Sequence, residues 1–180
     1  TILSYDPNSS FSQVTDIDGI VYKTVIIGHQ EWMAENLNVE HYRNGDIIPQ
    51  VQDAYEWMEL ETGAWCYYNN DTGNGKTYGK LYNWYAINDS RGLAPDGWYI
   101  PDESEWKELE DTLGGYLVGG GKLKATILWE EPNTGATNET EFSAFPSGLR
   151  NDYGEFYGNG EYSIFWTISE GNHYDAWTRV

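Results

Sequence analysis

The C-terminal third of the chain carries the residue types that best suit a ligand site. Tyrosines in glycine-rich loops alternate there with amide, carboxylate and basic side chains. An aromatic ring can pack on the apolar C–H face of a sugar, while amides and carboxylates bond its hydroxyl groups. The same mixture suits protein recognition, since Tyr and Asn give contact area at low entropy cost. The candidate ligand-binding residues are Arg150, Asp152, Tyr153, Tyr157, Tyr162, Asn172, His173, Tyr174 and Asp175.

Two tryptophans in the same region are expected to belong to the core instead. Trp166 and Trp177 lie in the runs 164–168 and 176–179, which predict β-strands. A tryptophan on a strand of a small domain is more often buried than exposed. The tyrosines stand beside glycines, in turns that hold side chains at the surface. The two groups should therefore respond differently to mutation.

Few residues have the spacing that an enzyme would need. His29, His41 and His173 lie far apart and form no HExxH pattern, so a histidine-rich zinc site is not expected. Neither a GxSxG nucleophile motif nor a phosphate-binding glycine loop is present. A glycosidase needs only two carboxylates flanking a bond. The 29 acidic residues leave that alternative open without selecting a pair.

The charge balance restricts the partners of the chain. The formal net charge is −19, and only ten residues are Lys or Arg. Phosphate groups are neutralised by clustered cations, so neither nucleic acid nor anionic lipid is an expected partner. Polyanionic polysaccharides are disfavoured for the same reason unless Ca²⁺ bridges them. A neutral or lightly charged glycan is the better candidate.

The single cysteine, Cys66, excludes both an intrachain disulfide and a CxxC metal site. It stands between Trp65 and Tyr67 in an apolar run that predicts a strand. We therefore expect a buried and unreactive thiol.

Two helices are expected to organise the fold around these residues. The second, residues 103–113, is preceded by Asp102 with Glu105 three positions later, which is the pattern of a capping box. Its expected buried residues are Trp106, Leu109 and Leu113. The first helix is expected at residues 79–87. Its apolar side would be formed by Leu81, Trp84 and Tyr85.

The remaining elements are predicted from alternation and turn residues. Residues 21–27 and 30–34 predict a β-hairpin, with Gly28 in its turn. Residues 53–60 predict a short helix, and residues 122–125 a single helical turn. Residues 69–76 are rich in Asn, Asp and Gly and predict a loop.

Several blocks of the sequence occur together in one known family. They are DIDG at 16–19, WMAENL at 32–37, YGKLYNWYA at 78–86, LAPDGWYIP at 93–101, EW at 105–106 and PNTGATNE at 132–139. In this order they resemble the Fibrobacter succinogenes major paralogous domain family, from about Val14 to the end of the chain. The family looks related to C-type-lectin-like domains of the formylglycine-generating-enzyme type. Its members are mostly secreted or surface proteins of Bacteroidetes and Fibrobacteres.

The resemblance implies an α+β, C-type-lectin-like single domain over residues 14–180. Two helices would pack on twisted antiparallel sheets in a loop-rich fold, and residues 1–13 would be an N-terminal leader or linker. Family members often carry a cysteine where Ala94 stands and another near the C-terminus, and this chain has neither. The two-cysteine oxidase chemistry of the related enzymes is therefore not expected.

The resemblance also implies a calcium site. Related lectin-like folds hold Ca²⁺ in loops similar to residues 133–139, which makes Asn138 and Glu139 the candidate metal ligands. Oxygen ligands on loops suit Ca²⁺ better than a transition metal. The oxygen-rich residues 69–71 are the alternative site. The competing interpretation is that the loop only folds back on the core through Phe142 and Phe145.

These observations favour a non-catalytic extracellular binding module, secreted or on the cell surface, for a glycan or another cell-surface ligand. No stretch is long and apolar enough to cross a membrane. We expect the module to be part of a larger protein. The alternatives are a hypervariable protein-binding receptor of lectin-like fold, a carbohydrate-active enzyme using paired carboxylates, and a passive structural domain.

Overall fold

A computed structural model of the chain describes residues 3–4, 13–172 and 175–179, with side chains over 13–169. Its strands are β1 Leu3–Ser4, β2 Gln13–Thr15, β3 Val21–Ile27, β4 Gln30–Met33, β5 Trp65–Cys66, β6 Leu81–Tyr82, β7 Ser147–Arg150, β8 Phe156–Asn159, β9 Phe165–Asn172 and β10 Asp175–Arg179. Its α-helices are α1 Ala54–Met58, α2 Thr72–Tyr78, α3 Trp84–Ile87, α4 Glu103–Thr112 and α5 Tyr116–Leu123.

The strands form small antiparallel sheets. One sheet has four strands in the order β1-β4-β3-β2, and β5–β6, β7–β8 and β9–β10 are separate pairs. Every paired strand among the described residues is antiparallel, although some isolated bridges, such as that of Gly148 with Ser163, are parallel. The prediction of a mixed α and β domain with antiparallel sheets is confirmed. The hairpin predicted at residues 21–34 is β3–β4, with Gly28 at a φ of +64° in its turn.

Helix α4 follows its sequence signature closely. The Asp102 carboxylate accepts the backbone N–H of Glu105, and the Glu105 carboxylate accepts that of Asp102. Trp106, Leu109 and Leu113 are all buried. Trp106 packs against Trp32 with 4.8 Å between ring centroids, which joins the helix to β4.

The first predicted helix is much shorter than residues 79–87. Leu81 belongs to strand β6, and helix α3 begins only after Asn83. The side chain of Asn83 accepts the backbone N–H of Ala86 and so starts the helix. Tyr85 is exposed, so the expected apolar side of the helix is not formed.

Two helices occur where the sequence predicted mainly loop. Helix α2 replaces the loop expected at residues 69–76, and α5 begins six residues before the predicted turn at 122–125. Both contain glycines, which weaken an isolated helix. In α5, a Cβ atom on Gly121 would lie 2.3 Å from the backbone oxygen of Gly135. This close approach requires glycine, so tertiary packing overrides local propensity.

The core contains three groups of buried side chains. The largest is built around Tyr42, Trp65 and Trp98, and a second around Trp32. Cys66 is fully buried in the third, as predicted, and burial raises the pKa of its thiol to about 11. None of the helices in the described part of the chain has the length and apolar character needed to cross a membrane.

Candidate ligand-binding surface

The β7–β8 hairpin and the turn after it carry three exposed tyrosines. The exposed fractions are 65% for Tyr153, 50% for Tyr157 and 45% for Tyr162. All three are among the ligand residues predicted from the sequence. The same segment also exposes the carboxylates of Asp152, Glu155 and Glu161. We call the six residues together the hairpin surface.

The turn between β7 and β8 is closed by Asn151 and Glu155. The Asn151 backbone N–H donates to the Glu155 oxygen at 2.9 Å, and the Glu155 N–H donates to Asn151 Oδ1 at 2.8 Å. Gly154 has a φ of +77°, which glycine adopts without strain. A Cβ atom on Gly154 would lie 2.7 Å from the backbone of Ala54. The turn that carries Tyr153 is therefore seated on the start of α1.

Arg150, at the end of β7, holds the hairpin to the rest of the domain. Its Nε donates to the backbone oxygen of Gly154 at 3.0 Å. Nη1 donates to the Val51 oxygen at 2.8 Å, and Nη2 to the Gln52 oxygen at 2.9 Å. All three guanidinium nitrogens bond within the chain. Arg150, a predicted ligand residue, therefore supports the surface, and each of its three nitrogens already donates within the chain.

Tyr157 is restrained by a carboxylate that lies just before its strand, at the end of the turn. Its hydroxyl donates to Glu155 Oε2 at 2.6 Å. This hydrogen bond raises the pKa of Tyr157 and lowers the pKa of Glu155, which moves both pKa values further from neutral pH. Glu155 is a site residue that the sequence prediction missed. Its signal is the spacing of two positions, which puts both side chains on one face of an extended strand.

Tyr162 lies over the backbone of Gly158. A Cβ atom on Gly158 would lie 2.2 Å from Cδ2 of the Tyr162 ring, so any larger residue would displace the ring. The Tyr162 backbone N–H also donates to the Gly158 oxygen at 2.8 Å. The glycine therefore determines where the third tyrosine sits beside β8.

The other predicted ligand residues are placed only in part. Asp152 is exposed in the turn beside Tyr153. The backbones of Asn172 and Asp175 lie in β9 and β10, but their side chains, like that of Trp177, fall outside the described part. His173 and Tyr174 lie outside the described residues altogether.

Trp166 lies at the edge of the core. It is half-buried, and its ring centroid is 5.7 Å from that of Trp84. Its Nε1 donates to the backbone oxygen of Tyr82 at 2.9 Å. Both its packing and its polar atom are thus used within the domain, in contrast to the exposed tyrosines.

The predicted calcium loop is bonded back to the domain. Asn138 Oδ1 accepts the Ser143 backbone N–H at 2.9 Å, and Asn138 Nδ2 donates to Ser143 Oγ at 2.9 Å. Glu139 pairs with Lys122 at 3.0 Å, and the buried Phe142 anchors the loop in the core. Among the residues with described side chains, no group of three or more His, Cys, Asp or Glu could hold a metal ion. Calcium at Asn138 and Glu139 stays a prediction.

The other acidic turns use their carboxylates for the backbone. Asp71, in the alternative calcium segment, accepts the Gly73 N–H at 2.7 Å and begins α2. Asp16 accepts the Ile20 N–H at 2.9 Å and the Tyr22 hydroxyl at 2.6 Å. These bonds explain the acidic residues as turn and capping residues.

Two clefts in the described part have most of their charged groups engaged. One, of about 120 Å³, is mainly apolar, and Lys80 and Arg150 on its wall donate to groups of the chain. The second, of about 350 Å³, includes Asp16 and Arg43, which also bond internally. The hairpin surface offers more available side-chain chemistry than either cleft.

Comparison with known proteins identifies a family. The sequence profile of the Fibrobacter succinogenes major domain matches residues 25–180. No curated protein and no solved structure matches the chain. Because the matched region covers most of its length, the chain belongs to the Fibrobacter succinogenes major domain family.

Proposed function

We propose that the chain is a non-catalytic carbohydrate-binding module that binds glycans through the hairpin surface. The observation that carries this proposal is the exposure of Tyr153, Tyr157 and Tyr162 beside carboxylates on a hairpin whose base is fixed by Arg150. Large exposed rings that do not serve the core are typical of binding surfaces. A fixed base also reduces the entropy lost when a ligand binds.

In the proposed binding mode, the tyrosine rings stack on the sugar and the carboxylates bind its hydroxyl groups. Tyr157 and Tyr153 stack on the apolar faces of sugar rings. The ionised Glu155 carboxylate, whose pKa is lowered by the Tyr157 hydroxyl, accepts hydroxyl hydrogen bonds together with Asp152. Carboxylates accept up to several hydrogen bonds each, which suits the closely spaced hydroxyls of a sugar.

The charge of the surface favours neutral glycans. The exposed acids of the hairpin surface add to a chain with a net charge of −19. A polysaccharide that carries sulfate or uronate groups would be repelled, particularly at low salt. A neutral polysaccharide meets no such barrier.

We further propose a C-type-lectin-like fold and a secreted or cell-surface location, within a larger protein. The support is the resemblance of the ordered sequence blocks. Calcium at the loop with Glu139 would be an accessory ligand, since the surface ion pair of Glu139 with Lys122 is weak enough for Ca²⁺ to replace.

A glycan array probed with and without EDTA tests the proposal. We expect binding to neutral polysaccharides or their oligosaccharides, and weaker or no binding to sulfated or uronate-rich glycans. Absence of binding to every neutral glycan, in the presence of Ca²⁺, would count against the function. A change on adding EDTA would separately indicate a role for calcium.

A further inference from the structure

A buried amine lies against a side-chain amide in the interior of the domain. Lys80 Nζ is 2.9 Å from Asn38 Oδ1 and 2.6 Å from the Asn38 backbone oxygen. The two residues are 42 positions apart, so only the tertiary fold brings them together. The Lys80 side chain is 2% exposed, which is rare for lysine.

Two aromatic rings lie against this amine. Nζ lies 4.4 Å from the centroid of the Trp65 ring and 5.4 Å from that of Tyr67. Desolvation by burial lowers the pKa of Lys80, although the nearby carboxylate of Glu40 opposes this effect. Burial thus increases the fraction of neutral amine, which is the nucleophilic form.

Glu40 is placed to move protons at this contact. Its Oε1 is 3.4 Å from Lys80 Nζ, and its side chain is 49% exposed. It can therefore exchange protons with both the amine and the solvent. Asn38 is also fixed, because its backbone N–H donates to Tyr22 Oη at 3.0 Å. The folded chain therefore brings the Lys80 amine, the Asn38 side-chain amide and the Glu40 carboxylate into direct contact.

We propose that Lys80 and Asn38 become joined by an isopeptide bond that forms spontaneously after folding. The neutral Nζ attacks Asn38 Cγ, and a new C–N bond forms. The bond between Cγ and Nδ2 breaks. Glu40 takes a proton from the attacking amine and delivers it to the departing nitrogen, which leaves as ammonia. The reaction involves no oxidation or reduction and needs no co-reactant.

The bond ties the residue before β6 to the segment after β4. It closes a covalent loop within a chain whose single cysteine cannot form an intrachain disulfide. The rings of Trp65 and Tyr67 keep water away from the amide once it has formed. The inference is independent of the proposed glycan binding, since it concerns no residue of the hairpin surface.

The intact mass of the folded full chain tests the bond. The expected mass is that of the sequence less one ammonia, and proteolysis should yield a branched peptide containing both residues. Lys80→Arg and Asn38→Ala should each have the mass calculated from the variant's own sequence, with no ammonia lost. A wild-type mass equal to that of the sequence, after prolonged incubation of the folded protein, would overturn the proposal.

Asn-Gly pairs provide the necessary control. Asn44, Asn74 and Asn159 each precede glycine and can lose ammonia by closing a succinimide. That product gives no branched peptide and persists in Lys80→Arg. An ammonia loss with those two properties would therefore also overturn the proposal.

If Lys80→Arg or Asn38→Ala fails to fold, a substitution of the exposed Glu40 still tests the proposal. Glu40→Ala should fold as the wild type does, with the same circular dichroism. It should form the bond about a hundredfold more slowly, the usual contribution of a proton-transfer group. Bond formation at the wild-type rate would contradict the role of Glu40.

Discussion

The guanidinium of Arg150 lies across the ring of Trp57, with 4.5 Å between its central carbon and the ring centroid. The same carbon lies 4.9 Å from the centroid of the Phe156 ring. Trp57 also donates from Nε1 to the backbone oxygen of Asn151 at 3.1 Å. Helix α1 and the β7–β8 hairpin are thus joined by stacking and by hydrogen bonds. Arg150, which the sequence predicts to contact the ligand, instead holds the hairpin that carries the exposed tyrosines.

Replacing Arg150 should therefore destabilise the domain. Arg150→Met removes three charged donors and leaves the backbone oxygens of Val51 and Gln52 without this partner. We expect a loss on the order of 2–4 kcal/mol in the free energy of unfolding, measured by denaturant titration. Lys107→Met is the control, since Lys107 forms exposed ion pairs with Glu110 and Asp111 on α4 and should matter less. Equal losses in the two variants would contradict the role of Arg150.

The thiol of Cys66 should be unreactive in the native protein. Burial raises its pKa to about 11, above the usual value for cysteine, so the thiolate fraction at pH 8 is smaller than for a free thiol. A thiol reagent should modify Cys66 slowly under native conditions and rapidly in denaturant. Rapid modification of the folded protein would show that the third core group opens readily.

Calcium binding would be visible as thermal stabilisation. If Glu139 is a ligand, millimolar Ca²⁺ should raise the melting temperature by mass action, and EDTA should reverse the increase. Glu139→Gln should remove the response, while Glu161→Gln, a carboxylate outside this loop, should leave it unchanged. A melting temperature indifferent to both Ca²⁺ and EDTA would argue against the site.

The proposed isopeptide bond should add stability with time. A crosslink between residues 42 positions apart restricts the unfolded chain and is worth about 4 kcal/mol in the chain-entropy relation. Glu40→Ala protein measured directly after refolding should therefore be less stable than the same protein after long incubation. An equal free energy of unfolding at both times, in samples whose masses differ by one ammonia, would contradict this gain.

The sequence predicts best those elements whose causes are local. Helix α4 is marked by its own capping box and buried stripe, and the β3–β4 hairpin by alternation around Gly28. Helix α5 could not be predicted, because the tolerance of its glycine run depends on the packing of Gly121 against the backbone of Gly135 in the following loop. The start of α3 at Asn83 could not be predicted either, because it depends on the hydrogen bond from the Ala86 N–H to the Asn83 side chain.

In the candidate site too, locally determined features could be predicted and contacts distant in sequence could not. Both rings are exposed as expected, but only Tyr153 lies in a turn beside its glycine, whereas Tyr157 lies on strand β8. The role of Arg150 depends on backbone oxygens about a hundred positions away in the chain, at Val51 and Gln52. No local pattern can reveal such a contact, and the same holds for Lys80 with Asn38.

The most direct test of the central claim is a paired measurement of glycan affinity and melting temperature. The ligand is the neutral oligosaccharide bound most strongly on the array, and the variants are Tyr157→Ala and, as a control on α5, Tyr116→Ala. Both tyrosines are exposed, so both variants should melt close to the wild type. Tyr157→Ala should weaken binding about thirtyfold, as for a central contact residue, while Tyr116→Ala should bind normally. Unchanged affinity in Tyr157→Ala, or equal weakening in both variants, would contradict binding through the hairpin surface.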